Sequence, residues 1–269
     1  MLGPLRGIFL DFDGTIAETE RWGHRPAYNR AFAELGLDWE WTETLYGELL
    51  AIAGGRERLR HYLKHYRAEA LDDEAAATLI SELYRAKVRH FASMAPTIPL
   101  RPGLLRLVRE AHAAGVVVAI ATTSSKAGVE ALLSQTPGLS AMISLIAAGE
   151  VVERKKPSPD IYLWALERLG LDAGECVTIE DSHVGLQASL GARLPTIVTV
   201  SDYTANDDFT GASAVLSDLG EPDKPARRLH GARPRNGLVD LAFLRTLRAQ
   251  ATAQHRGGQM NDRPRSLSR

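Results

Sequence analysis

The sequence predicts an α/β fold: a Rossmann-like, doubly wound parallel sheet with an inserted all-helical cap domain. Three observations carry that expectation. Short, continuously apolar runs recur between helical patterns, and each ends in acidic or polar residues. Continuous rather than alternating hydrophobicity marks strands covered on both faces. Residues 18–96 break the alternation, reading as helix after helix with no convincing strand. The chain has 269 residues, 45% hydrophobic and 24% charged, enough to bury a substantial core.

The expected strands are Ile8 to Asp11, Val116 to Ala121, Met142 to Ala147, Cys176 to Ile179 and Thr196 to Val200. Between them, Leu104 to Ala113 reads as a helix stopped by Gly115. Pro159 to Leu169 reads as another, with Ser158 as N-cap and Gly170 as the stop. In such a sheet the active site lies at the C-terminal strand ends. The helical stretch is expected over Pro26 to Leu35, Leu45 to Ile52, Arg56 to Tyr66 and Glu74 to Phe91. Bounded by Gly14-Thr15 and by Pro96, Pro99 and Pro102, it is expected as a separate cap on two short linkers, able to close over the site and exclude water. The expected organisation is therefore a catalytic core of residues 1–17 and 97–220, a cap of residues 18–96, and a C-terminal segment, 221–269. In that last segment Leu238 to Ala249 reads as one amphipathic helix, Glu221 to Asn236 and Thr252 to Arg269 are rich in Arg, Pro, Gly and polar residues, and the end of the tail is expected to be disordered.

Charge is partitioned. The 32 Lys+Arg and 33 Asp+Glu nearly cancel, yet residues 221–269 hold eleven basic and four acidic side chains, so the body is at -8 and the tail at +7. An acidic body argues against a nucleic-acid-binding core. No apolar run approaches the ~20 residues that span a bilayer. The start of the chain is too acidic for a signal peptide. The single cysteine, Cys176, excludes internal disulfides and multi-thiolate zinc sites. These features lead us to expect a cytoplasmic monomeric enzyme, or one of the plastid stroma after loss of a transit segment, with neither nucleic-acid nor membrane partners.

The strand ends carry the chemistry. Asp11-Phe12-Asp13-Gly14-Thr15 closes strand one, and residues two apart on an extended segment point the same way, so two carboxylates converge. Such a pair repels unless a proton or cation intervenes, and hard carboxylate oxygens suit Mg²⁺. After strand two come Thr122 and Thr123, able to hold phosphate oxygens. After strand three come Lys155-Lys156-Pro157, and after strand four Glu180-Asp181-Ser182. Taken singly these also read as turn residues, a solvated lysine pair and a helix cap. Together they fall on consecutive strand ends as acid pair, hydroxyl, lysine, acid pair.

That order resembles the four motifs of the haloacid dehalogenase superfamily of phosphotransferases, over residues 7 to about 218. The resemblance implies that Asp11 is the nucleophile and becomes an aspartyl phosphate, and that Asp13 protonates the leaving oxygen and then helps to activate water. It implies that Thr122 hydrogen-bonds the phosphoryl group, that Lys156 neutralises charge, and that Mg²⁺ is held by Asp11, Asp181, the Asp13 main-chain carbonyl and, as ligand or outer neighbour, Glu180. A helical insertion straight after the first motif is similar to the C1-cap group. Ala17-Glu18-Thr19-Glu20, Gly36-Leu37-Asp38-Trp39-Glu40-Trp41, Gly54-Gly55-Arg56-Glu57-Arg58, Ala147-Ala148-Gly149-Glu150, Lys155-Lys156-Pro157-Ser158-Pro159-Asp160-Ile161-Tyr162 and Asp207-Asp208-Phe209-Thr210-Gly211-Ala212 resemble its CbbY-like phosphatases. They imply a phosphorylated sugar as substrate, xylulose 1,5-bisphosphate.

A bisphosphate needs a second cationic cradle, expected from Gly54, Gly55 and Arg56 with Lys87; Glu18 and Tyr46 are expected at sugar hydroxyls. His24 departs from the subgroup, standing one residue late with Gly23 as the apparent insertion, and reads as either a surface or a site residue. A phosphosugar mutase and a phosphoglycolate phosphatase share this core, and a phospho-accepting signalling module shares its Asp, Thr and Lys. Asp13 and the cap argue against the last.

Overall fold

A computed structural model describes residues 4–67 and 72–261 of the chain. Seven strands form one sheet in the order β3-β2-β1-β4-β5-β6-β7: β1 Gly7–Leu10, β2 Val117–Ala121, β3 Leu145–Ala147, β4 Cys176–Glu180, β5 Thr196–Thr199, β6 Ala214–Leu216 and β7 Arg228–Gly231. The first six are parallel and β7 is antiparallel to β6. The doubly wound α/β expectation holds, with β1 at the centre between β2 and β4.

Side-chain alternation divides each central strand between two helical layers. Ile8, Leu10, Val118, Ile120, Val177 and Ile179 join one core with α5 (Leu104–Ala113), α6 (Lys126–Leu133) and the start of α9 (Leu241–Asn261). Phe9, Ala119, Ala121 and Cys176 point the other way, against α7 (Asp160–Leu169) and α8 (His183–Gly191). Cys176 is buried, which pushes its thiol up to about 12, so it is a packing residue.

The insertion holds α1 (Arg25–Glu34), α2 (Glu43–Leu49), α3 (Gly55–Tyr66) and α4 (Asp73–Met94). It has its own aromatic core of Tyr28, Phe32, Trp39, Trp41, Tyr46 and Tyr62, apart from those of the sheet. Thr42 and Asp72 cap α2 and α4 by accepting backbone N–H groups. Its two connections to the sheet are joined where Ala17 bridges Leu100 and the Arg101 N–H donates to the Ile16 carbonyl at 2.9 Å.

Two expectations are corrected, and one stretch read only from its composition takes on structure. Ser158 is not the N-cap of α7: that position is Pro159, and the Ser158 hydroxyl instead donates to Asp160 at 2.8 Å. The stretch Glu221 to Asn236, read only as rich in Arg, Pro and Gly, holds β7, which extends the sheet there, and Arg106 of α5 donates to the flanking carbonyls of Leu219, Gly220 and Val239. The last helix runs to Asn261, beyond the expected Leu238 to Ala249 and into the stretch from Thr252, and Val239, Leu241, Leu244 and Leu247 pack into the sheet's core. The remainder of that stretch, 262–269, lies outside the described residues. Among the described residues no helix is long and apolar enough to cross a membrane.

Candidate active site

The site is built where β1 and β4 end side by side. Asp11 follows β1, its N–H donating to the Ile179 carbonyl at 2.9 Å. Glu180 is the last residue of β4, and Asp181 is the next. Lys156 reaches in from the loop after β3, its Nζ 2.7 Å from both Asp11 Oδ1 and Glu180 Oε1. All four are buried. Tyr162 of α7 donates its hydroxyl to Glu180 Oε1, the same oxygen that Lys156 meets.

Gly14 permits this crowding. It has φ of 78°, and a Cβ there would lie 2.0 Å from Asp181 Oδ2. The backbone leaving β1 therefore passes against the second acid, which no other residue type allows.

Burial raises the Asp11 carboxyl to about 8; the Glu180 and Asp13 charges add to this and Lys156 opposes it. Burial, with the Asp11 charge, also drives Asp181 well upward. On Lys156, burial is outweighed by Asp11 and Glu180, so its ammonium is held well above the ordinary lysine value. Asp11, Glu180 and Asp181 each offer an oxygen within 4.8 Å of the others. Glu180 Oε2 is buried without a hydrogen-bond partner. Three hard, buried oxygens, one unsatisfied, with two carboxyls that resist ionisation, fit a site for a small divalent cation.

Asp13 faces elsewhere. Its Oδ1 accepts from the Thr19 hydroxyl and lies 2.7 Å from His24 Nε2, and its Oδ2 accepts from the Ser124 hydroxyl at 2.5 Å. Burial would raise this carboxyl, but the His24 charge and these hydrogen bonds hold it well below the usual range. Its carboxylate is thus not part of the acid trio, which leaves only its main-chain carbonyl for a cation.

His24 is a site residue, not a surface one. It is buried and stacked on Phe91 with ring centres 4.1 Å apart. The chain takes one π-helical turn over Glu20–His24, the local form that absorbs an extra residue within a helix. Gly23 fits there because a Cβ would come within 2.7 Å of both Phe91 and Ile98. The apparent insertion thus rotates His24 onto Asp13.

Thr122 is buried at the end of β2, and its hydroxyl accepts the Ser124 N–H at 3.0 Å. Thr123 lines the cleft between cap and sheet, a cavity of about 520 Å³ that also meets Asp11, Asp13, Glu20, Arg58, Lys156 and Asp181. Gly54, Gly55 and Lys87 line an adjoining recess with Arg58, Tyr84 and Ser124. Lys87 is buried over the Tyr28 ring at 5.1 Å and the Phe91 ring at 5.5 Å; burial pulls its ammonium down to about 8, against the Asp13 and Glu20 charges.

Two cap residues are displaced from their expected places. Arg56 is exposed and lies over the Tyr84 ring at 4.5 Å, lining neither cavity, because it sits two positions around the helix from the inward face. Arg58 occupies that face. It is buried, donating to the Leu49 and Ile52 carbonyls and, at 3.1 Å, to the Tyr46 hydroxyl. Glu18 pairs with buried Arg101, which also donates to the Val200 and Ser217 carbonyls, so it braces the hinge. Glu20 takes the cleft position instead and accepts the Tyr46 hydroxyl; Tyr46 supports Glu20 and Arg58 from behind.

A family model described as haloacid dehalogenase-like hydrolase matches residues 5–192. The chain is 44% identical to protein CbbY of Cupriavidus necator over 90% of this chain and 96% of that protein. It is 41% identical to a CBBY-like protein of Arabidopsis thaliana, over 80% of this chain and 69% of that one. A crystal structure of a CbbY mutant from Rhodobacter sphaeroides in complex with xylulose-(1,5)bisphosphate superposes with a TM-score of 0.74 at 40% identity, covering 81% of this chain and 96% of that one.

Proposed function

The chain belongs to the haloacid dehalogenase-like hydrolases, in their CbbY branch, and we propose that it is a Mg²⁺-dependent phosphatase that removes one phosphate from xylulose 1,5-bisphosphate. The observation that carries the chemistry is Asp11, buried at the cleft floor with Lys156 at 2.7 Å and two further acids beside it. The sugar assignment is supported by the bisphosphate bound to a 40%-identical relative.

In this reading a carboxylate oxygen of Asp11 attacks phosphorus in line and the P–O bond to the sugar breaks. The proton shared by the Asp13–His24 pair passes through Asp13 to the departing alkoxide. Water then attacks the aspartyl phosphate, losing a proton to Asp13 and releasing inorganic phosphate with Asp11 regenerated. Thr19, His24 and Ser124 aim Asp13 at this oxygen. Thr122 shapes the turn after β2, and Lys156 neutralises charge on Asp11 and the transferring group. Asp11, Asp181 and Glu180 would hold Mg²⁺, which supplies the positive charge that keeps Asp11 ionised and offsets the phosphate dianion.

Kinetics on xylulose 1,5-bisphosphate, fructose 1,6-bisphosphate, β-glucose 1-phosphate and phosphoglycolate, with Mg²⁺ and after chelation, test the proposal. The highest kcat/KM is expected for xylulose 1,5-bisphosphate, with no turnover after chelation. A preference for phosphoglycolate, or formation of glucose 6-phosphate, overturns the sugar assignment.

The distal phosphate is assigned to Arg58 and Lys87. Replacing a buried charged donor costs about 1.5–3 kcal/mol, so Arg58→Ala is expected to raise KM for the bisphosphate about ten- to a hundredfold. Arg56→Ala should leave it within about twofold, as an exposed charge normally does. Equal effects of the two variants would place the phosphate elsewhere.

Lys87 carries its charge only below about pH 8. In the free enzyme the ammonium is lost as pH rises through that value, so kcat/KM should fall on the alkaline side. Lys87→Met, measured over the same range, should show lower kcat/KM at pH 7 and lack that alkaline limb.

A further inference from the structure

The cap touches the core at a second place, remote in sequence from its hinge. The loop after β5 carries Asp202 and Tyr203, and the Tyr203 ring lies against α2. A Cβ on Gly47 would sit 3.3 Å from that ring, and the rings of Tyr46 and Tyr203 meet edge to face at 5.8 Å. Across this contact lies one guanidinium from the π-helical turn. Arg21 Nη1 donates to Asp202 Oδ2 at 3.0 Å and Nη2 to Glu43 Oε2 at 3.0 Å; Arg25 donates to the other Glu43 oxygen at 3.4 Å. Arg21 thus joins an acid of the core to an acid of the cap, and Glu20, its neighbour in the chain, lines the cleft.

We propose that Arg21, forked between Asp202 and Glu43, is a positioning residue that holds the cap closed on the core and so sets Glu20, Tyr46 and Arg58 over the reacting carboxylates. The side chains of Arg21, Asp202 and Glu43 are 35%, 45% and 52% exposed, so each pair is individually weak and sensitive to salt. That suits a clasp that must release at every turnover. Arginine suits the fork because its two Nη groups diverge from one rigid plane and reach both acids at once, whereas a lysine is a compact charge on a flexible stem. When only the closed state binds substrate well, apparent affinity scales with the closed fraction. The clasp therefore acts through KM.

The test compares full-length wild type with Arg21→Gln, Arg21→Lys and Asp202→Asn. At about 0.01 M salt, where screening reaches only beyond ~30 Å, Arg21→Gln and Asp202→Asn are expected to raise KM about three- to tenfold with kcat within about twofold. Arg21→Lys should recover part of the loss. At about 1 M salt, with a screening length of ~3 Å, the variant-to-wild-type KM ratio should shrink toward one. A ratio below about two at low salt, or one that does not shrink with salt, overturns the clasp. The kinetic arm rests on the phosphatase reading, and small-angle scattering separates the two. At low salt, Arg21→Gln is expected to have a larger radius of gyration than wild type; identical curves overturn the clasp whatever the enzyme hydrolyses.

Discussion

Asp11→Asn is expected to fold, to bind the sugar bisphosphate, and to lose turnover by about 10⁴-fold or more, the scale seen when a nucleophile is removed from an otherwise intact site. The amide is isosteric but cannot form an acyl phosphate. Stability should move the opposite way. Folding raises the Asp11 carboxyl from the ordinary 3.8 to about 8, so between those values the folded protein binds the extra proton and loses stability as pH rises. Asparagine removes that penalty. The metal-free variant should therefore melt at or above the wild-type temperature at pH 7, with the difference narrowing toward pH 4. Calorimetry of the two proteins checks the sign, and phosphate release checks the chemistry. A variant that turns over normally would remove Asp11 from the mechanism.

Lys156→Met is expected to be the most damaging single change to stability at the site. The ammonium is 2.7 Å from two buried carboxylates, and its stem passes the Tyr162 ring, with Nζ 5.1 Å from the ring centre. Methionine keeps the stem's volume but removes the ammonium from which Asp11 Oδ1 and Glu180 Oε1 both accept. Breaking a buried pair from one side costs about 3–5 kcal/mol, which for a domain of this size is a fall in Tm of about 6–20 °C. Adding Glu180→Gln should recover part of the loss, because it removes one stranded charge while Tyr162 keeps an oxygen to donate to. Turnover should fall at least about 10²-fold, as for loss of one preorganised charged donor. A melting temperature unchanged by Lys156→Met would mean that the two 2.7 Å contacts carry no net stability.

The parallel core was legible because its strands are covered on both faces, which leaves unbroken apolar runs such as Val118 to Ala121. β6 and β7 were not. Three residues in β6 and an exposed Arg-Leu-His-Gly in β7 carry too little pattern, and β7 is ordered by pairing with β6 rather than by its own composition. The residues brought together at the β1 and β4 ends were legible because strand ends fix side chains from the backbone. The cap was less so. Arg56 and Arg58 differ by two positions, and on a helix that decides between solvent and cleft; the phase is set by aromatic packing around Trp41 and Tyr46, while Glu18, just ahead of the π-helical turn, meets Arg101 and leaves the cleft to Glu20. His24 could be read only as an insertion, since the π-helical turn that aims it is invisible in composition. The clue that remained was Gly23, a glycine within a helical run.

The central position of β1 has a consequence for how the protein is made. Gly7 pairs with Val117 on one side and Cys176 on the other, so the strand that carries the nucleophile emerges first and waits longest for its neighbours. At ~5–20 residues per second of synthesis, β1 waits about ten seconds or more for its second neighbour. The cap, drawn from one contiguous stretch around its own aromatic cluster, has all its contacts available long before. During biogenesis the lid is therefore ready before the site it covers, and the apolar Ile8-Phe9-Leu10 is the segment in need of shelter while the rest of the sheet is translated.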